Sequence, residues 1–104
     1  MKITDLHAEN GFKPLGPSKL LVHESEFLKV INFNFKAGQG LPVHSHNLEG
    51  ELVICILEGE GHFLSAEAQI PCKAGDTLVC PIAVPHGVSA STDMRVLVTI
   101  APPI

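Results

Sequence analysis

The sequence predicts one all-β domain spanning residues 1–104. Three observations lead there. Glycine and proline recur at short intervals, in Gly38-Gln39-Gly40, Glu58-Gly59-Glu60-Gly61, Ala74-Gly75-Asp76 and Pro85-His86-Gly87, and they punctuate short apolar runs. Within Val30-Ile31-Asn32-Phe33-Asn34-Phe35, Ile31, Phe33 and Phe35 alternate with Asn32 and Asn34, which is the period of a strand with one apolar face. No window of useful length carries a sustained helical period.

The strands expected in order are 19–23, 30–35, 41–46, 51–57, 62–69, 76–80 and 94–100, with room for a turn of helix near the N-terminus. In 30–35, the asparagines should face water and Ile31, Phe33 and Phe35 the interior. The run Glu51-Leu52-Val53-Ile54-Cys55-Ile56-Leu57 is apolar on both faces, so both need cover. One face can fill a barrel. In so short a chain, a patch of Leu52, Ile54 and Ile56 is best covered by a second copy, and a homodimer is expected.

Composition excludes several classes of function. Apolar residues make up 45% and charged residues 17%, the reverse of a disordered chain. The net charge is −4 and Arg95 is the single arginine, so no basic cluster is available for nucleic acid or an acidic membrane surface. The same shortage argues against substrates that carry phosphates, which require converging Arg or Lys donors. Cys55, Cys72 and Cys80 are odd in number and match no CxxC spacing, and MKITDLHAEN lacks an apolar signal core. These features predict free thiols and a cytoplasmic location.

The residues that carry chemistry cluster in two places. His44 and His46 are two apart, so on a strand both imidazoles share a face. Glu51 follows at the start of the next strand, where a short turn would return its carboxylate to them. His86 comes later, in a stiff turn after Pro81 and Pro85. Three imidazoles and a carboxylate suit one divalent ion of Fe, Mn, Ni, Cu or Zn. Glu49 competes with Glu51 for the carboxylate role, and strand parity does not separate the two. Outside this set, His62 and Glu49 are the only candidates for acid–base catalysis. Cys55 shares the parity of Glu51, so it is expected to point into the barrel beneath the metal. His7 and His23 receive no role.

The segment from Gly38 to Gly59 resembles the first motif of the cupin superfamily: a glycine, five residues, His-x-His, three or four residues, Glu, then about six residues to a glycine. Gly38, His44, His46 and Glu51 fit, and the last step is one residue long, which hints at a bulge. The segment from Gly75 to Ala90 resembles the second motif through Gly75, Pro81 and His86, with Ala83 and Ala90 standing where that motif has a glycine and an asparagine. The two motifs and their spacer cover about half the chain. The resemblance implies a jelly-roll (double-stranded β-helix) barrel of the small single-domain cupin type. It also implies a metal in the barrel mouth on His44, His46, Glu51 and His86.

Fold alone implies no reaction. With acids and bases scarce, a metal would carry the chemistry. The favoured expectation is a dioxygenase-like oxidoreductase acting on a small, largely uncharged molecule such as an enol, diketone or phenol, in a pocket walled by Ile31, Phe33, Phe35, Val53 and Cys55. The alternatives are a non-redox isomerase or decarboxylase, and a non-catalytic module that senses or stores a small molecule or metal.

Overall fold

A computed structural model describes all residues from Met1 to Ile104. A single turn of helix, α1 (Leu6–Glu9), precedes nine strands: β1 (Ser18–Glu24), β2 (Lys29–Phe35), β3 (Gly40–His44), β4 (Glu51–Glu58), β5 (Glu60–Leu64), β6 (Gln69–Lys73), β7 (Thr77–Pro81), β8 (His86–Ala90) and β9 (Met94–Ala101). They form two antiparallel sheets, one ordered β1-β2-β9-β4-β7 and the other β3-β8-β5-β6. The expected all-β barrel of jelly-roll type is therefore what forms. The span 62–69, read as one strand, holds the second half of β5 and the turn into β6, and the segment from His86, read as a turn, is β8.

The core lies between the sheets. Phe35, Leu52, Ile54, Ile56, Phe63, Ile82, Val88, Met94 and Val96 are buried there. In β4 the inward residues are Leu52, Ile54 and Ile56, while Glu51 is exposed and Val53, Cys55 and Leu57 are half-buried on the opposite face. This corrects the expected dimer patch: the residues assigned to it fill the barrel. The apolar outer face instead holds Val53 and Cys55, beside exposed Val79 of the neighbouring β7.

Asn32 and Asn34 also depart from expectation, because neither is accessible to water. Their face of β2 is outward, as alternation requires, but the N-terminal segment lies over it. Asn10 Nδ2 donates to Asn32 Oδ1 (2.7 Å), and Ser18 Oγ donates to Asn10 Oδ1 (2.6 Å). Asn34 Nδ2 donates to the Gly11 carbonyl (2.8 Å) and Asn32 Nδ2 to that of Val96 (2.9 Å). Buried amides need such partners, and here the partners tie residues 10–18 to the sheet. The strap is fastened again at Glu58, which meets His7 and lies 3.1 Å from Arg95 Nε, an ion-pair contact without the alignment of a hydrogen bond. The Arg95 guanidinium in turn sits over the Phe12 ring, 5.0 Å from its centroid.

Two loops bring the chemistry-bearing histidines together. The chain between β3 and β4 is pinned to the β7–β8 turn: Ile82 N donates to Gly50 O (3.0 Å), and His46 N donates to Ile82 O (3.3 Å). Gly50 makes this possible. Its φ is +142°, and a Cβ there would stand 2.5 Å from the Ala101 carbonyl oxygen and 2.7 Å from Ile82 Cδ1. The extra residue before Gly59 appears as a register shift between Ile56 and Glu58 in the β4–β9 ladder.

Candidate metal centre

His44 ends β3 and His86 begins β8, and the two residues are paired across the ladder. Their ring centroids are 4.5 Å apart, edge to face. His46 lies just beyond β3, with its ring 5.6 Å from that of His44. The spacing of His44 and His46 thus does place two imidazoles side by side, and the second glycine–proline segment does bring His86 to them.

Each of the paired rings is held by its own backbone. His44 Nδ1 lies 2.8 Å from the Pro42 carbonyl oxygen and His86 Nδ1 lies 2.7 Å from that of Val84. A carbonyl only accepts, so Nδ1 carries the proton in both, and the lone pair is left on Nε2. This outer anchoring is the usual support of a metal-binding imidazole. His86 is buried, and burial pushes its pKa below the usual histidine range, with the neighbouring rings of His44 and His46 adding to the effect against the opposing Val84 hydrogen bond. A neutral imidazole is the form that binds a cation.

The three histidines border a cavity of about 270 Å³ whose other walls are Lys19, Ile31, Phe33, Leu41, Leu52, Ile54, Gly87, Val98, Ile100 and Ile104. Ile31 and Phe33 stand where expected. Phe35 lies in the core, and Val53 and Cys55 face away from the cavity, so Leu52, Ile54, Val98 and Ile100 supply the wall assigned to them.

Neither Glu51 nor Glu49 lines the cavity, and both are exposed. The structure therefore does not bring Glu51 to the three histidines, and Cys55 lies on the same outward face of β4. Spacing located Glu51 at the start of β4, but the face it takes is set by packing. Leu52, Ile54 and Ile56 make the bulkier alternate set and take the core, which turns Glu51, Val53 and Cys55 outward. That alternation is visible in the sequence and was the available signal. With the carboxylate absent, no three His, Cys, Asp or Glu side chains stand gathered closely enough to hold an ion as they are placed. The imidazoles of His44 and His86 fit a metal by tautomer, and His46 would have to close on the pair.

The remaining candidates lie elsewhere. His62, half-buried, pairs with Ser89 and Pro71 on the outer face of its sheet and does not line the cavity. His7 contacts Glu58, and His23 lies beside Val22 on the outer side of β1, at a second hollow. All three cysteines are free: Cys72 is buried and Cys55 and Cys80 are half-buried. Burial raises the thiol pKa of Cys72 and of Cys80, which makes both less reactive. Sequence reasoning missed Lys19, which faces the cavity because it pairs with Phe33 across β1 and β2.

Comparison with known proteins agrees with this architecture. The family model for the cupin domain matches residues 32–100, and the chain belongs to the cupin family. Among solved structures, an RmlC-like cupin protein from Desulfovibrio desulfuricans is 57% identical with a TM-score of 0.95, covering 100% of this chain and 99% of that one. The protein TT1209 from Thermus thermophilus is 28% identical with a TM-score of 0.88 over 100% of both chains. A predicted oxalate decarboxylase from Thermotoga maritima is 20% identical with a TM-score of 0.75, covering 83% of this chain and 80% of that one, a likeness of fold. No curated protein matches the chain. No helix is long and apolar enough to cross a membrane.

Proposed function

We propose that this cupin holds one divalent metal ion on the imidazoles of His44, His46 and His86 and presents it to a small molecule in the adjoining cavity. The observation that carries the proposal is the pairing of His44 with His86, each with Nδ1–H tied to a backbone carbonyl and Nε2 left free at the edge of an apolar cavity. Fe, Mn, Ni, Cu and Zn all accept nitrogen donors of this kind, and affinity alone favours Cu, Ni or Zn. Three protein ligands leave positions on the ion for a ligand or substrate.

The enzymatic form of the proposal is a metal-dependent oxidoreductase, dioxygenase-like in its chemistry. The bound metal would supply Lewis acidity and redox capacity. The chain's own part is to bind, orient and exclude water: Ile31, Phe33, Leu52, Ile54, Val98 and Ile100 form a wall with no acid or base of their own. His44 and His86 hold their rings in one tautomer, with Nε2 of each left free. A cavity of about 270 Å³ falls at or below the lower end of the roughly 300–1,000 Å³ typical of drug-sized ligands, so the substrate is small.

The test is reconstitution with Fe(II), Mn(II), Ni(II) or Cu(II), followed by oxygen-uptake assays over enols, diketones and phenols. The expected result is substrate-dependent uptake that His44→Ala abolishes. If every loaded form is inert while one compound binds tightly, the protein is a sensor or storage module. Turnover without oxygen uptake points to the isomerase or decarboxylase alternative. The location proposed is the cytoplasm and the assembly a homodimer through the outer face of β4 and β7.

A further inference from the structure

We propose that Lys19 recognises an anion, and that the cavity takes a small molecule with an apolar body and one negatively charged group, of which a monocarboxylate is the simplest case. This replaces the largely uncharged substrate expected from composition. It rests on the proposed function only in treating this cavity as the ligand site.

Lys19 sits on β1, the edge of the five-stranded sheet, opposite Phe33 of β2. The cavity wall reaches from there to His44 on β3, the edge of the four-stranded sheet. Lys19 and the histidines therefore border one apolar space from different sheets. Lys19 is the only Lys or Arg lining it, and no Asp or Glu lines it at all. In a chain with 11 acidic and 7 basic residues, a lining with one lysine and no acidic side chain runs against the overall balance.

Lys19 is also unpaired. Lys29, Lys36 and Lys73 each have a carboxylate within 4.0 Å, and Lys19 has none. Ile104, which borders the same cavity, accepts from Lys29 Nζ at 3.1 Å through its backbone oxygen. A lysine stem lies readily along apolar surface with its charged end free. An anionic group that meets that end beside a wall poor in water forms a charge-assisted hydrogen bond, while the apolar body of the ligand packs on Ile31, Phe33 and Val98.

The experiment measures binding by calorimetry in matched pairs, hexanoate against 1-hexanol and benzoate against benzyl alcohol. It uses metal-free and Zn(II)-loaded protein, for wild type, Lys19→Arg, Lys19→Met and His44→Ala. Lys19 is exposed, and Met keeps its length without the charge, so folding is preserved. The expected result is a carboxylate preference of about tenfold in wild type and Lys19→Arg, falling to within about twofold in Lys19→Met with neutral binding unchanged. A preference that survives in Lys19→Met overturns the proposal, as does failure of both classes to bind at millimolar concentration. A preference that depends on Lys19 but persists in metal-free His44→Ala protein upholds the role of Lys19 and removes the metal. A preference that follows Zn(II) and ignores Lys19 does the reverse.

Discussion

His44 and His86 face each other across the β3–β8 ladder with ring centroids 4.5 Å apart, and each donates Nδ1–H to the carbonyl two residues before it. The repeat of that local arrangement on two separate strands fixes both tautomers without help from any acidic side chain. Two imidazoles so placed can share a cation, and His46 is the third nearest. After incubation with Zn(II) and desalting, about one ion per chain is expected by mass spectrometry. His44→Ala with His86→Ala should abolish binding. Glu51→Gln should leave it unchanged, because Glu51 faces away; loss of metal in Glu51→Gln would return the carboxylate to the site.

The buried amides of β2 give a prediction for stability. Replacing Asn32 with alanine removes the acceptor of Asn10 Nδ2 and the donor to Val96. Buried polar groups left unpaired cost about 1–3 kcal/mol. Asn32→Ala should therefore lower the unfolding free energy in urea by about 2 kcal/mol and make residues 1–17 more susceptible to proteolysis. An unchanged midpoint would mean that the N-terminal strap contributes nothing to the barrel.

Acid should loosen the same strap. The hydrogen bond from His7, with charge from His7 and Arg95, holds the Glu58 carboxyl below its usual range. A carboxylate whose folded pKa lies below its unfolded value adds stability above the unfolded pKa, near 4.5, and that stability is lost as pH falls through the folded value. Thermal unfolding followed from pH 6 down to 3 should show a decline that is shallower in Glu58→Gln. Since Glu58 is exposed at its edge, the effect is expected to be modest and to shrink in high salt.

The fold and the histidines were legible because they depend on local rules. Alternation marked β2, glycine turns marked the strand ends, and two-residue spacing put His44 beside His46. What was not legible depended on which side of a strand was covered, and by what. Asn32 and Asn34 read as solvent-facing because nothing local says that Asn10 and Ser18 fold over them. Glu51 matched a spacing, yet spacing does not weigh Leu52, Ile54 and Ile56 against Val53 and Cys55 for the core. Lys19 belongs to the cavity only through its pairing with Phe33, a contact between strands.

The assembly prediction follows from the corrected face of β4. Val53 and Cys55 face outward beside Val79, which is 58% exposed. An apolar strip on a sheet face and its edge strand is a natural contact between two copies. Light scattering at micromolar concentration should give about twice 11.1 kDa, and Val79→Lys should return the protein to one chain. A wild-type mass of one chain would remove the dimer.

Leu52 offers the sharpest test of the metal centre. It is buried (2% exposed), lines the cavity with the three histidines, and stands one residue after the glutamate that spacing had selected. A carboxylate at this position would face the imidazoles from β4. Without a metal, Leu52→Glu places an ionisable group among Ile54, Val98 and Ile100, which costs several kcal/mol or forces the carboxyl to stay protonated. The metal-free variant should therefore unfold well below wild type. With a cation on the histidines the same carboxylate becomes a ligand, and binding to the folded state alone raises stability by about 2.7 kcal/mol at a hundredfold excess over Kd. The expected outcome is a larger rise in Tm on adding Zn(II) or Ni(II) for Leu52→Glu than for wild type, with tighter binding by titration. His44→Ala in the same background should remove the difference. Equal metal response in Leu52→Glu and wild type would place any bound ion away from the cavity face of β4 and would end the assignment of the metal to His44, His46 and His86.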